Sequence, residues 1–412
     1  MKSLGDIFRR FGNAYRQRFK PPPLHLKVLD AVAKCRTAVL GGHAWVCTDC
    51  GSLHVHYNSC GNRHCPQCQA FEKEKWVEAR KAELLPVPYL HVVFTLPHEL
   101  NPLVLSNDRL FYNLLFKAVW KTVDKIARDK RWLGAQIGMI AVLHTWGSNL
   151  SLHPHLHCII PAGGLNEAAT EWKHTRKKRF LAPNRKVLSP IFKAIFMRLL
   201  IKAIEEEKLV FYGCAKPYAE REKLSDLLQK VQRKNWNVFA KSPFAGPAQI
   251  INYLSRYTHR IALSNRRIVG VKDGKVSFTL KDYKQKNKDG LPLIKTLTLC
   301  VFEFMRRFLM HVLPRGFQRI RYYGILAAVN RKTKLKAAQK LLGASPPLRH
   351  PFDWKARLEE LTGLDPDACP ACGKKTLILL GYLPQMHLAP GRSPPVSFKI
   401  HTPEGEIIPL RV

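Results

Sequence analysis

Acidic residues are scarce in this chain. Its 412 residues hold 30 Asp and Glu against 68 Lys and Arg, a formal net charge of +38. A surplus of that size argues against a small neutral molecule as the only partner and fits a polyanion. Long apolar runs are missing too. None approaches the roughly 18 residues that mark a membrane-spanning helix. The basic opening MKSLGDIFRRFGNAYRQRFKPPP has no apolar core segment and no cleavage site, so a secretory leader is not expected. Without an export signal, the eleven cysteines, an odd number, read as reduced thiols and metal ligands instead of disulfides. There is no GxxxxGK[ST] phosphate loop, no internal repeat and no strong low-complexity tract. What the chain does have is 46% hydrophobic residues, enough for a real core, and a length that suggests two or three domains.

Composition divides the chain into three regions. Residues 1–85 are rich in Cys and His and end in a helix-like stretch, QAFEKEKWVEARKAELL. Residues 86–332 mix strand-like and helix-like runs. HVVFTL (91–96), IGMIAVLHTW (137–146), LSLHPHLHCII (150–160) and WNVFAKS (236–242) read as strands, and 108–128 as a helix. Residues 247–260 read as a helix opened by Pro247, and 302–313 as one stopped by Pro314. RRIVGV and KVSFTLKDY flank Asp273-Gly274, a hairpin signal. Residues 333–412 open with the basic helix KTKLKAAQKLLG, turn Pro-rich, carry one Cys pair, and read as loosely folded from LAPGRSPPVSF onward. The fold class expected is α+β, an antiparallel sheet with flanking helices preceded by a small zinc-binding module.

Cys47-Thr-Asp-Cys50-Gly and Cys65-Pro-Gln-Cys68 are C-x2-C pairs with 14 residues between them. Zinc takes four ligands in a tetrahedron and favours thiolates, and each such turn offers two sulfurs to one ion. Gly51 and Pro66 suit the tight turns. An all-thiolate, closed set of Cys47, Cys50, Cys65 and Cys68 is the first expectation, and it makes the zinc structural. Cys35, His43, His54, His56, Cys60 and His64 lie around it, so a second zinc or a different choice of four, with Cys60 or His64 as a ligand, stays open. Cys369-Pro-Ala-Cys372-Gly is half of another such site. His387, His401 or ligands from another region could complete it, and a free thiol pair is the plainer alternative.

His153, His155 and His157 alternate along one strand, so their side chains share a face. If the preceding strand turns between Asn149 and Leu150, residues whose numbers sum to 299 face each other, and His144 faces His155. Cross-strand neighbours lie about 5 Å apart at Cβ. His144, His155 and His157 would then reach one ion, with His153 as an alternative to His144. A lone strand histidine more often packs; four at these positions point to a metal. Three imidazoles leave coordination positions open, and with so basic a protein the substrate to expect is a phosphodiester. On the helix expected at 247–260, Tyr253 and Tyr257 stand at i and i+4 and share a face. A phenol can attack phosphorus and hold DNA covalently. Arg256, His259 and Arg260 could meet phosphates beside them. Taken alone, such a tyrosine pair is more often a core edge.

His155-x-His157 followed by a tyrosine helix resembles the HUH endonuclease superfamily. SCGNRHCPQCQ, HVVFTLPHEL, VLHTWGSNLSLHPHLHCIIPAGG, YLSRYTHRIALSNRRI and EFMRRFLMHVLPRGFQRIRYYG resemble, in the same order, the two-tyrosine rolling-circle transposases of bacterial insertion sequences, the insertion sequence ninety-one type. The resemblance covers about residues 30–330. It implies an HUH-nuclease-like sheet, and nicking of single-stranded or melted DNA with Mg2+ or Mn2+. It implies His155 and His157 as ligands with His144 as the third, and Tyr253 and Tyr257 as nucleophiles that take the 5′ phosphate. A bacterial cytoplasmic, nucleoid-associated protein is implied as well. With no phosphate loop in the chain, a host helicase or replication machinery would have to open the duplex. Glu303, Arg306 and Arg307 lie in one of the matching blocks and are given no catalytic role. Other classes compete: a relaxase or replication initiator with the same chemistry, a non-catalytic zinc DNA-binding protein, or an RNA-binding factor.

Overall fold

The computed structural model describes residues 3–175, 185–244, 261–287, 289–344, 352–386, 397–401 and 407–411. The N-terminal part has helices α1 (Leu4–Phe19) and α2 (Pro23–Lys34), the hairpin β1 (Gly42–Cys47) and β2 (Leu53–Tyr57), and helix α3 (Gln69–Lys81). Next come β3 (Tyr89–Thr95), α4 (Asn101–Ser106), α5 (Asp108–Arg128), β4 (Gly138–Trp146) and β5 (Leu152–Pro161). These are followed by β6 (Gly163–Leu165), β7 (Trp172–His174), α6 (Arg185–Glu205), α7 (Arg221–Arg233) and β8 (Val238–Phe244). After residue 260 the chain forms β9 (Ile268–Lys272), β10 (Lys275–Lys286), β11 (Pro292–Cys300), α8 (Val301–Leu309) and β12 (Ile320–Gly324). It ends with α9 (Lys334–Leu341), α10 (Trp354–Thr362), β13 (Leu377–Leu383), β14 (Ser397–His401) and β15 (Ile407–Arg411).

The architecture is mixed α+β with antiparallel sheets. The central sheet runs β12-β4-β5-β3-β8, every pair antiparallel. β4 is buried throughout and β5 from Leu156 to Pro161, so these are interior strands covered on both sides over most of their length. One face meets α5 and α6. Phe111, Leu115, Val119 and Val123 recur every four residues on α5, and with Phe192 and Phe196 of α6 they pack on Val92, Phe94, Leu143 and Leu156. The opposite face is split. At one end Tyr89, Ile140 and Ile159 join an apolar cluster with Trp172 and Ile325. At the other end stand the histidines.

The hairpin expected at Asp273-Gly274 forms between β9 and β10. Both turn residues have positive φ, 48° and 67°, as the two-residue turn that matches strand twist requires. The helix expected over 302–313 is shorter: α8 ends at Leu309, and His311 turns inward to take buried hydrogen bonds. One further expectation is corrected. The C-terminal end is not loose where it is described, because β14 and β15 pair from Ser397↔Arg411 to His401↔Ile407. A second sheet runs β15-β14-β13-β1-β2 and joins both ends of the chain. The helix expected at 247–260, with Tyr253, Arg256, Tyr257, His259 and Arg260, lies outside the described residues.

Candidate functional site

Strands β4 and β5 pair in the register that the number 299 demands: Ile140↔Ile159, Val142↔His157, His144↔His155. A bulge follows between His144 and Trp146. The register puts a ring nitrogen of His144, His155 and His157 within 4.8 Å of one another. The rings stand edge-on, with centroids 5.4 Å apart for His144–His155, 4.6 Å for His144–His157 and 4.9 Å for His155–His157. Edge-on rings can aim their lone pairs at one point. His153 lies beside His155 at the rim of the same cleft, outside the set of three. Burial lowers the His153 imidazole below its ordinary range, which keeps it neutral near pH 7.

Neighbours fix which nitrogens face the centre. The His155 Nδ1–H donates to the His153 carbonyl at 2.6 Å, which makes Nε2 the unprotonated nitrogen of the neutral ring. His157 Nδ1 meets His91 Nε2 at 2.9 Å, with the two rings stacked 10° from parallel. Sequence reading passed over His91. Its partner lies 66 positions away, and a single histidine in an apolar strand reads as packing. The faint signal was parity, because His91 shares a face with Val93 and Thr95, and Val93 lies directly opposite His157. Metal-bound histidines commonly hold their second ring nitrogen in such a hydrogen bond.

The three imidazoles floor an open cleft of about 820 Å³ between the central sheet and the β10–β11 hairpin. Arg267 lies in its wall. It donates to the Thr279 carbonyl at 2.8 Å and to the Ser148 carbonyl, which braces the β4–β5 turn. That turn is locked elsewhere too. Leu150 is fully buried in a left-handed conformation, φ 63°, and His311 Nε2–H donates to its carbonyl at 3.1 Å. Burial pushes the His311 imidazole down to about 4, so its uncharged Nδ1 accepts from the Thr145 hydroxyl at 3.2 Å. Arg307 reaches the Asn149 carbonyl at 3.3 Å and is held by Glu303, whose carboxyl the Arg306 and Arg307 guanidiniums bring down to about 2. Glu303, Arg306 and Arg307 therefore brace the turn and stand outside the imidazole set.

The cysteines combine differently from the first expectation. Cys47 and Cys50 do not meet Cys65 and Cys68. One set is Cys35, Cys60, Cys65 and Cys68, and the other is Cys47, Cys50, Cys369 and Cys372. Within the first set Cys68 Sγ is 3.6 Å from both Cys35 Sγ and Cys60 Sγ. Four sulfurs at about 2.3 Å from a tetrahedral zinc would stand about 3.8 Å apart. The Cys35, Cys60 and Cys65 thiols hold Cys68 well below the usual thiol range, and Cys35, Cys60 and Cys68 drive Cys65 up. Four such sulfurs can all be thiolates only around a cation, so the donor set fits structural zinc. Cys60, an open option in the sequence, belongs to this set. His64 does not, and lines a small cavity with Trp146, His311 and Arg319.

Comparison with known proteins gives this geometry a family. Residues 138–334 match a family described as "Putative transposase", and residues 7–96 match a "Transposase zinc-binding domain". "Putative transposase y4qJ" of Sinorhizobium fredii (strain NBRC 101917 / NGR234) is 45% identical over 382 residues, 92% of this chain and 94% of that protein. "Transposase for insertion sequence element IS801" of Pseudomonas savastanoi pv. phaseolicola is 26% identical over 356 residues, 85% of this chain and 82% of that protein. No solved structure matches the chain. No described helix is long and apolar enough to cross a membrane. DNA, the substance a transposase works on, is the polyanion that the charge of +38 suits. The chain belongs to the IS91-type transposases and carries their N-terminal zinc-binding domain.

Proposed function

We propose that this transposase nicks one DNA strand and transfers it through a 5′-phosphotyrosine, for rolling-circle transposition, on an HUH-type nuclease sheet. The observation that carries this reading is the set of three edge-on imidazoles, His144, His155 and His157, on the floor of an open cleft. Mg2+ or Mn2+ is the ion these residues would hold, and it supplies Lewis-acid polarisation of the scissile phosphate. His91 positions His157 through Nδ1. Tyr253 or Tyr257 supplies the nucleophile. Its phenolic oxygen forms a bond to phosphorus, the bond from phosphorus to the 3′ oxygen breaks, and the phenolic proton ends on that oxygen. The ester conserves the energy for rejoining, and the other tyrosine allows a second transfer before the first is released. Arg256 and Arg260 contact phosphates. A further support is local: Ile261 and Ala262, which follow the tyrosine segment, line a small cavity with Trp146, next to the imidazoles. The substrate is a single-stranded or melted transposon end, opened by a host helicase, in a cytoplasmic, nucleoid-associated setting.

The test is cleavage of single-stranded DNA from the flanks of the encoding gene, in Mn2+, with covalent adducts mapped by mass spectrometry. An adduct on Tyr253 or Tyr257 that EDTA prevents is the expected result. The Tyr253→Phe/Tyr257→Phe double variant should form none, and the single variants should differ in cleavage and joining. A double variant that cleaves like the parent would end the tyrosine assignment.

His91 gives a separate test. His91→Phe keeps a ring of similar size but removes the acceptor. It should raise the Mn2+ concentration for half-maximal cleavage about 10–100-fold, with the rate at saturating Mn2+ much less affected. An unchanged Mn2+ dependence would reduce His91 to packing.

A further inference from the structure

The second thiol set has ligands from opposite ends of the chain. Cys47 and Cys372 are 325 residues apart and their sulfurs stand 3.6 Å apart. Cys50 and Cys369 are 319 residues apart with sulfurs at 3.8 Å. These edges again match the roughly 3.8 Å of a tetrahedral zinc–thiolate centre. The "Transposase zinc-binding domain" match ends at residue 96, so it reaches one pair and not the other.

The two turns are copies of each other. Each reads C-x2-C-G. In the first, the Gly51 N–H donates to the Cys47 carbonyl at 2.9 Å and the Cys47 N–H to the Ser52 carbonyl at 3.0 Å. In the second, the Gly373 N–H donates to the Cys369 carbonyl at 2.8 Å and the Cys369 N–H to the Lys374 carbonyl at 2.8 Å. Both glycines take the left-handed conformation that closes such a turn, φ 70° and 78°. Each turn is attached to a strand. β1 ends at Cys47, β13 starts at Leu377, and the two strands pair from Cys47↔Leu377 to Gly42↔Leu383. The Thr48 N–H donates to the Thr376 carbonyl at 3.1 Å and extends the ladder to the turns themselves.

Few of the described apolar side chains pack in this sheet. Among its described residues, the buried apolar side chains are Ala44 and Leu383, with Val55, Tyr57 and Leu380 partly covered beside them. The Asp49–Lys374 pair at 3.0 Å is exposed at its lysine and adds little. A small sheet with so thin a core needs a staple, and a metal is a usual one. The second thiol set is in the right place to be that staple. Polar groups stand around it: the Thr376 hydroxyl lies 3.2 Å from Cys47 Sγ, and His54 Nε2 stands 3.3 Å from Cys369 Sγ.

We propose that Cys47, Cys50, Cys369 and Cys372 bind a second zinc ion in a ribbon assembled from the two ends of the chain, and that this ion fastens the C-terminal arm to the N-terminal module. The ion is distinct from that of Cys35, Cys60, Cys65 and Cys68. Its role is independent of the nicking chemistry.

Zinc content of the intact full-length chain, read by native mass spectrometry, tests this without any variant. Two zinc ions per chain are expected, and one would overturn the proposal. In the second step Cys369→Ser/Cys372→Ser and Cys47→Ser/Cys50→Ser are compared. Each should keep one zinc, and trypsin should remove the C-terminal arm at least about tenfold faster than in the parent, because the opening equilibrium now lacks the metal's contribution. Either double variant retaining two zinc ions would overturn the site. One zinc with an arm as protected as in the parent would overturn the fastening role. Loss of both ions from Cys369→Ser/Cys372→Ser would overturn the independence of the two centres.

Discussion

Replacing His157 with alanine should lower single-strand cleavage by about 10³-fold or more, with DNA binding changed by less than about twofold. The magnitude follows from the proposed role: a Lewis acid on a transferring phosphate is worth several kcal/mol, and about 4 kcal/mol corresponds to roughly 10³ in rate. His155→Ala should match it, because both rings lie in the set of three and both have Nδ1 held in a hydrogen bond. His153→Ala should cost less than about tenfold, because His153 stands outside that set. Binding is expected to survive because most of the affinity comes from dispersed phosphate contacts by Lys and Arg, which these changes leave in place. Rates of adduct formation in Mn2+, filter binding at fixed salt, and a melting curve for each variant make the comparison. Equal losses of cleavage for His153→Ala and His157→Ala would break the link between the geometry and the chemistry.

Much of the central sheet could be read from the sequence. Strand-like runs of 6–11 residues, one short turn and the parity of alternate residues were enough to set the β4–β5 register, because a slip of one residue would turn every histidine to the opposite face. The Asp273-Gly274 hairpin and the α5 stripe were legible for similar local reasons. What failed was long-range. A C-x2-C spacing defines one turn and says nothing about which two turns share an ion. Cys47-x2-Cys50 was therefore assigned to the nearest pair along the chain, Cys65-x2-Cys68, when its partner lies 319 residues on. Cys35 showed only as one more thiol near the cluster, because it caps the end of α2 instead of standing in a motif. The C-terminal strands looked loose because Pro and polar residues suppress a local strand signal, and the pairing that makes β14 a strand comes from β15. His91 was missed for the same reason: its meaning lies in a partner on another strand.

The two thiol centres should fail differently, and the difference follows from what packs against each. Cys35 and Cys65 are buried in a cluster with Leu4, Ile7, Phe8 and Leu29 of α1 and α2, Phe304 and Phe308 of α8, and Trp146 and Leu150 of the cleft. Arg63, in the loop between Cys60 and Cys65, donates to the Phe317 and Pro314 carbonyls at 2.7 and 2.9 Å, so this centre is also tied to the segment leading into β12. Cys65→Ser should therefore remove one zinc and lower the melting temperature by on the order of 10 °C, since structural zinc can contribute many kcal/mol of folding free energy. Cleavage should fall with it, because Trp146 stacks on His144 with centroids 4.6 Å apart and shares the disturbed core. Cys372→Ser should also cost one zinc, but with a much smaller change in the main melting transition. Among the described residues, its neighbours form a thin core around Ala44 and Leu383. Scanning calorimetry with zinc analysis on the two variants distinguishes the cases. Equal shifts in melting would mean that the ends of the chain and the central sheet unfold as one unit, and that the packing difference between the centres has no thermodynamic weight.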